Sequence, residues 1–262
     1  MRTGSARRRL GRVPAARITY VGHATVLIEV GGARLLTDPV LRSRVAHLRR
    51  HGPAPEVPAG IDAVLVSHLH HDHLDLPSLR LLADAPRVIV PRGAGPMLRR
   101  AGFETDELRP GDWADVNGMR VEAVRAVHPS GRWPLGGVSG EPLGFVVAGS
   151  PSVYFAGDTD LFEEMGELAP LDVALVPIAG WGPRLGPGHM NASRAAQAVA
   201  LLRPRVAVPI HWGTLHPRTT RRGEWFTSPA EEFAAQAAEL APDSEVRVLQ
   251  PGESTSVTAP AA

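Results

Sequence analysis

The feature that most constrains this chain is a metal-ligand motif of the form HxHxDH, which begins at His68. Residues 67–75 read SHLHHDHLD and place four histidines and two aspartates in nine positions. Imidazole and carboxylate groups suit zinc and similar divalent ions, and a chain without cysteine offers no thiolate ligand. An apolar run precedes the motif and a candidate helix follows it, whereas an incidental histidine-rich surface tract lacks both. The chain must therefore fold so that a rigid strand presents these ligands.

The spacing within the motif indicates two neighbouring metal sites. His68 and His70 are two residues apart, so an extended backbone points both to the same side, where they can share an ion. Asp72 and His73 are adjacent, so the chain must turn after His70 to direct them toward a second ion. One short run cannot complete two coordination spheres. The isolated candidates downstream are His128, Asp158, His189 and His211.

The composition favours one soluble catalytic domain. Hydrophobic residues make up 44% of the 262 positions, the formal net charge is +1, and no apolar run is long enough to span a membrane. A general polyanion binder is excluded, and no stable nucleic-acid binding is expected. The absence of lysine excludes a Walker P-loop lysine and Schiff-base chemistry, and the absence of cysteine excludes thiol nucleophiles and disulfides. With no recognisable secretory signal, we expect a cytoplasmic location.

The chain divides into an arm, a domain and a tail. Residues 1–17 carry six arginines and no acid, which predicts a flexible arm, with a nucleic-acid or anionic-lipid contact as the alternative. Residues 18–254 form the predicted single catalytic domain, and residues 255–262 a disordered tail. Homo-oligomerisation is left open.

Two hairpins of similar outline suggest an internal duplication. Residues 25–30 and 33–38 flank a Gly31-Gly32 turn, residues 144–148 and 153–158 flank a second turn, and the hairpins end in Asp38 and Asp158. We predict an α/β architecture of two β-rich halves packed face to face with helices outside, with chance similarity of the hairpins as the alternative. Further predicted strands are 63–66, 172–176 and 206–210, and predicted helices are 76–83, 95–101, 161–168, 192–202 and 229–240. Predicted helix caps are Asp75, Asn191 and a Ser228/Glu231 capping box.

These motifs resemble the metallo-β-lactamase superfamily. Within it, GHATVL at 22–27, LTDP at 36–39, FAGDT at 155–159, GHMN at 188–191 and IHWGT at 210–214 resemble the branch that holds N-acyl-phosphatidylethanolamine phospholipase D and bacterial L-ascorbate-6-phosphate lactonase. The similarity extends from about residue 18 to about residue 254. It implies a four-layer αββα sandwich, with two mixed β-sheets face to face and helices outside.

The resemblance also implies a ligand assignment. His68, His70 and His128 would bind one ion, and Asp72, His73 and His211 the other. Asp158 would bridge the two ions, although Gly-Asp-Thr alone also fits an ordinary turn. The ions would be zinc, with manganese or iron as alternatives.

Five further residues are candidates around the ions. The resemblance makes His189 a substrate contact beside the start of a helix, with a structural loop histidine as the alternative. Asp38 is predicted to hold a ligating imidazole by a hydrogen bond from outside the ligand shell and so to fix its tautomer. His23 is predicted either to line the site or to have only a packing role. Arg132 and Arg184 could contact phosphate, although solvated arginines are as well supported. The remaining histidines, predicted to be mostly solvated, are His47, His51, His71 and His216.

The function expected from this site is metal-dependent hydrolysis. A hydroxide held between two ions ~3.5–4 Å apart would be the nucleophile, and Asp72 would orient it and carry its proton. The expected substrate is a phosphodiester or a phosphorylated small molecule, including a phospholipid-like one. The alternative is a lactone or another carboxylic ester or amide, and a third possibility is a binding protein that has lost activity.

Overall fold

The computed structural model describes residues 16–83, 86–131 and 138–260, and it contains two seven-stranded sheets and one small three-stranded sheet. The strands are β1 (Ala16–Gly22), β2 (Thr25–Val30), β3 (Ala33–Thr37), β4 (Arg44–Val45), β5 (Leu48–Arg50), β6 (Ala63–Leu65), β7 (Arg87–Pro91), β8 (Thr105–Leu108), β9 (Trp113–Val116), β10 (Met119–Arg125), β11 (Leu143–Ala148), β12 (Val153–Phe155), β13 (Leu171–Pro177), β14 (Pro204–Ile210), β15 (Leu215–Pro217), β16 (Glu245–Val246) and β17 (Ser254–Val257). The helices are α1 (Leu76–Leu79), α2 (Gly95–Arg100), α3 (Ala192–Leu202) and α4 (Ser228–Leu240), with 3₁₀ turns at Glu163–Leu168 and Glu224–Phe226.

The two large sheets repeat one pattern of strand directions. The first has the order β17-β1-β2-β3-β6-β7-β8 and the second β16-β14-β13-β12-β11-β10-β9. From β1 to β8, and again from β10 to β16, two antiparallel pairings are followed by three parallel ones. The predicted duplication is therefore present in the topology. It places Asp38 and Asp158 at equivalent positions, just after the third strand of each series.

Three apolar clusters define four layers. The central cluster joins the facing sides of the sheets, for example Ile28 of β2 and Phe145 of β11. A second cluster packs α3 and α4 on the outer face of the second sheet, and a third packs α1 and α2 on the first. Alternate residues of each strand enter different clusters because side chains alternate across a strand. The predicted αββα sandwich is confirmed.

Several predicted boundaries are wrong. Residues 255–257 are not a disordered tail. They belong to β17, which forms backbone hydrogen bonds with β1 at the edge of the first sheet, and Val257 is buried there. For the same reason β1 already begins at Ala16, inside the predicted arm, of which residues 1–15 lie outside the described residues. Helix α1 ends at Leu79, after which 3₁₀-type hydrogen bonds tighten the chain. The Ser228/Glu231 capping box is also wrong, because α4 begins one residue earlier, after Thr227.

Within the described ranges, no helix has both the length and the apolar character needed to cross a membrane.

Candidate metal centre

Four strand ends from both sheets converge on one edge of the sandwich. His68 follows β6 of the first sheet, and His128, Asp158 and His211 follow β10, β12 and β14 of the second. The loops that carry them are short, so the side chains inherit the rigidity of the strands. Residues far apart in sequence thereby form one cluster of ligand atoms.

The first group of ligand atoms comprises three histidines. His68 Nε2 lies 3.0 Å from His70 Nδ1, which lies 3.1 Å from His128 Nε2. Two nitrogens bound at about 2.1 Å to one tetrahedral ion would lie about 3.4 Å apart. The three nitrogens face one another at close to that spacing, so they fit a shared ion, as the sequence analysis predicts for these residues.

The second group has four members, one more than predicted. His73 Nε2 lies 3.2 Å from His211 Nε2, and Asp72 Oδ2 lies 3.6 and 3.8 Å from those two nitrogens. His23 Nε2 lies 3.0 Å from the same Asp72 oxygen. His23 is 1% exposed, so it packs behind Asp72 and does not line the solvent side.

Asp158 lies between the two groups. Its Oδ2 is 3.1 Å from His73 Nε2 and 4.0 Å from His68 Nε2, and its Oδ1 is 3.3 Å from His211 Nε2. Asp158 Oδ1 is buried and has no hydrogen-bond partner, which is costly for a carboxylate oxygen. A divalent cation between the groups would satisfy this oxygen and the inward-facing imidazole nitrogens, so the residues present fit metal binding.

Outer hydrogen bonds fix which nitrogen of each ring faces inward. Asp38 Oδ2 accepts from His73 Nδ1 at 2.7 Å, and its carboxylate also accepts from the Ser67 amide and hydroxyl. His211 Nδ1 donates to the Ala179 carbonyl at 2.9 Å. His128 Nδ1 likewise donates to Gly188 at 2.7 Å. In the neutral form of each ring, this contact keeps the proton on Nδ1 and leaves Nε2 as the nitrogen directed at the centre, which is the arrangement that metal ligation requires.

The backbone is strained at three of these positions. His23, Asp38 and His211 have φ values of 61°, 33° and 62°, in the left-handed region that non-glycine residues seldom adopt. Such strain persists where surrounding contacts over-determine it, typically at functional sites. Gly157, at φ 61°, precedes Asp158, and a Cβ there would lie 2.5 Å from Ser67 Cβ. Glycine is therefore required to bring the Asp158 loop against the HxHxDH strand.

Electrostatics prepare the site for a cation. Burial lowers the pKa of His23 to about 3 and that of His128 to about 4, so both rings are neutral near pH 7. Burial alone would raise the pKa of Asp72 and Asp158, but the surrounding imidazoles hold both well below the ordinary value. Burial opposes protonation of His73, yet the nearby carboxylates raise its pKa well above normal. A cation bound there would displace that proton.

The predicted substrate contacts differ in their placement. His189 Nε2 lies 3.4 Å from Asp158 Oδ2, and the ring is held by the carbonyls of Gly186 and Pro187. Burial lowers the pKa of His189, but Asp158 outweighs it and the net pKa is raised. Arg184 is exposed and forms no hydrogen bond or ion pair with the described residues. Arg132 lies outside the described residues.

Two features of the centre escape sequence reasoning. The Ala179 and Gly188 carbonyls, which orient the candidate ligands His211 and His128, carry no side-chain signal, whereas the GHAT motif at 22–25 did mark His23. Away from the centre, the prediction of a solvated His216 is wrong: β15 pairs with β5, and the ring is 2% exposed against Phe226.

Known proteins match both the sequence and the fold. Residues 33–212 match the family model described as a beta-lactamase superfamily domain. A UPF0173 metal-dependent hydrolase of Methanopyrus kandleri is 36% identical over 255 residues, which cover 91% of this chain and 98% of the relative. Among solved structures, Igni18, a metallo hydrolase of Ignicoccus hospitalis, is 27% identical with a TM-score of 0.69, covering 92% of this chain and 97% of Igni18.

The same fold also carries other chemistry. CmlA, a diiron beta-hydroxylase from Streptomyces venezuelae, is 18% identical with a TM-score of 0.70 and shares the fold over 94% of this chain and 55% of its own. A shared fold at that sequence identity therefore does not show which reaction this chain catalyses. The resemblance to the phospholipase D and lactonase branch stays a prediction. The family match and the 36% identical relative establish that the chain belongs to the UPF0173 metal-dependent hydrolases of the metallo-β-lactamase superfamily.

Proposed function

We propose that this hydrolase works with two divalent ions, most simply zinc, on a phosphodiester or a phosphorylated small molecule. The observation that carries the proposal is the position of Asp158, whose two oxygens face both ligand groups. Manganese or iron would suit the same nitrogen and oxygen donors.

The assignment of ligands follows the two groups. His68, His70 and His128 would hold one ion, and Asp72, His73 and His211 the other, with Asp158 shared. When bound, the ions would activate water at neutral pH and stabilise charge on the attacked centre.

The chain's own residues supply orientation and proton transfer. His23 donates to Asp72 and so holds that carboxylate toward the centre. His189 lies beside Asp158 and is partly exposed, in a position to give a proton to a leaving group. It stands just before α3, whose first turn is capped by Asn191, so an anionic substrate group would meet a favourable helix dipole there.

A lactone or carboxylic ester is the second candidate substrate class. No arginine of the described ranges forms an ion pair or hydrogen bond with the ligand groups, and Arg184 projects into solvent. A dianionic phosphate would find few fixed cations besides the ions themselves, which favours a neutral substrate.

A substrate panel and three variants test the proposal. Protein loaded with zinc, manganese or iron would be assayed on bis-(p-nitrophenyl) phosphate, p-nitrophenyl phosphate, a lactone and a β-lactam, with bound metal counted by elemental analysis. We expect two ions per chain and highest activity on the phosphodiester. Highest activity on the lactone would reject the phosphoester proposal in favour of the alternative, and a single ion per chain would reject the dinuclear site.

The variants distinguish a loss of metal ligation from a loss of folding and from a loss of proton transfer. Asp158→Asn should lower activity by more than about a hundredfold and reduce bound metal, since even outer-shell losses cost ten- to a hundredfold. Asp160→Asn is the control, because Asp160 lies two residues away but pairs with Arg194 outside the ligand groups. His189→Gln should lower turnover while leaving metal content unchanged. Equal activity of Asp158→Asn and the unmodified protein would contradict the site.

A further inference from the structure

A cavity of about 570 Å³ lies away from the metal centre. Its walls include Thr19, Val21 and Leu27 of the first sheet, and residues 53–59, a segment with three prolines, form another wall. None of the ligand-group residues is part of its lining. The volume falls within the range of small-molecule sites.

The cavity lining includes Arg50, a buried cation that lacks a counter-charge among the described residues. The residue is 7% exposed, and its Nη2 donates to the Val40 carbonyl. Its Nε is buried without a hydrogen-bond partner, and no carboxylate of the described residues lies within ion-pair distance. Burial lowers the pKa of Arg50, although a guanidinium stays charged at neutral pH. A buried cation without a counter-charge is strongly unfavourable, so its retention points to an anion that binds there.

The other charges of the lining leave one cation unpaired. Arg34 also has a buried Nε without a partner, but its Nη1 pairs with Glu29. Glu56 is exposed and within ion-pair distance of neither arginine. His51 contacts Arg222 and contributes no negative charge. Glu56 carries an exposed charge that solvent screens, so Arg50 is the buried charge of the described lining that lacks a counter-charge, and one such cation matches a monoanion.

Much of the remaining wall is apolar, although Thr19, His51 and Glu56 also line the cavity. Val21 and Leu27 are 6% and 7% exposed and form part of the wall, and Val57 is 41% exposed in the 53–59 segment. Covering such surface with an apolar group lowers the free energy, because apolar area is removed from water. A ligand that satisfies both parts combines one acid group with an apolar body.

We propose that this cavity binds a small organic monocarboxylate with an apolar body, whose carboxylate pairs with Arg50. Arg34 adds a second donor at the wall, and the 53–59 segment covers the apolar part. The site is separate from the metal centre and independent of the reaction catalysed there.

Calorimetry on the metal-loaded full chain tests the proposal, with octanoate as the probe and 1-octanol and octyl phosphate for comparison. We expect one octanoate per chain, with 1-octanol at least about tenfold weaker, since a hydrogen bond to a charged group is worth about that factor or more. Arg50→Met should weaken octanoate by at least about tenfold. Arg120→Met is the control, because that exposed arginine pairs with Glu122 outside the cavity. Tighter binding of octyl phosphate than of octanoate would overturn the choice of a monocarboxylate.

Two further readouts keep the test decisive. Without ligand, Arg50→Met should melt at a higher temperature than the unmodified protein, because the unpaired buried charge is gone. Val57→Glu, at an exposed position, should repel octanoate and decides the matter if Arg50→Met does not fold. Failure of octanoate to bind would overturn the proposal, as would binding unchanged by either variant, which would place the carboxylate on the metal ions.

Discussion

Replacing Asp38 by asparagine should impair metal binding by reversing the tautomer of His73. Asp38 is fully buried, and its Oδ2 accepts from His73 Nδ1 at 2.7 Å and from the Ser67 hydroxyl at 2.5 Å. Asparagine has the same shape and tolerates the left-handed backbone at this position. Its amide nitrogen, however, would face the donor on His73 Nδ1, so the ring proton would move to Nε2, the atom that points at the centre.

The size of this effect follows from the hydrogen bond that is lost. A hydrogen bond to a charged group contributes about 1.5–3 kcal/mol. In Asp38→Asn, returning the His73 proton to Nδ1 so that Nε2 can bind metal would break the new hydrogen bond between the asparagine amide and Nδ1. We therefore expect metal affinity to fall about 10- to 150-fold, since every 1.4 kcal/mol is about tenfold. Competition with a chromophoric chelator at fixed pH would measure it.

Asp75→Asn provides the matched control. Asp75 is also a buried aspartate of this region, but it caps α1 and pairs with Arg42 through two bonds of 2.8 Å. Asparagine is a good cap, so this variant should lose some thermal stability and keep its metal affinity. Asp38→Asn with an affinity within about twofold of the unmodified protein would refute the tautomer argument.

Two other perturbations have expected outcomes. Gly157→Ala should lower the free energy of unfolding by about 3 kcal/mol, because alanine is strained in the left-handed region and its Cβ would overlap Ser67. Gly102→Ala is the control: its Cβ would meet nothing within 4 Å, so the loss should be only about 1 kcal/mol. Denaturant titrations would measure both. The metal-free protein should lose stability as pH falls below 6.5, because the unfolded chain protonates histidines whose folded pKa values are about 3 (His23) and about 4 (His128). His73, with a raised pKa, contributes the opposite sign and loses its contribution as pH rises. His23→Gln should reduce the protons taken up on acid unfolding by about one, and an unchanged uptake would show that His23 is charged in the folded state.

Local patterns were sufficient for much of the fold and for part of the list of candidate ligands. The glycine turn of the β2–β3 hairpin, the extent of α3 and the caps at Asp75 and Asn191 all follow from neighbouring residues, and the structure confirms each. The HxHxDH run places its own candidate ligands together because the spacing is short. His128 and His211 could be listed as isolated candidates, but their assignment to particular ions came only from the family resemblance, since nothing local ties them to that run.

Long-range contacts explain what the sequence did not predict. Strands β8 and β9 are partly exposed and polar, so they lack the apolar runs that mark β13 and β14. The burial of His216 depends on pairing with β5, more than 160 residues earlier, and β17 depends on a partner at the start of the domain. The fourth member of the second ligand group, His23, arrives through a tight turn between β1 and β2, which no ligand spacing encodes.

The two halves of the sandwich meet around one imidazole. Asp38 and Asp158, which hold equivalent places in the duplicated sheets, contact the two nitrogens of the His73 ring at 2.7 and 3.1 Å. Neither half carries all of the candidate ligands, because the first supplies the HxHxDH residues and the second supplies His128, Asp158 and His211. If the gene were cut between β8 and β9, the separate halves would each lack a metal site. Reassembly of the two fragments would then depend on divalent metal, which would make the ion the signal for pairing as well as the cofactor.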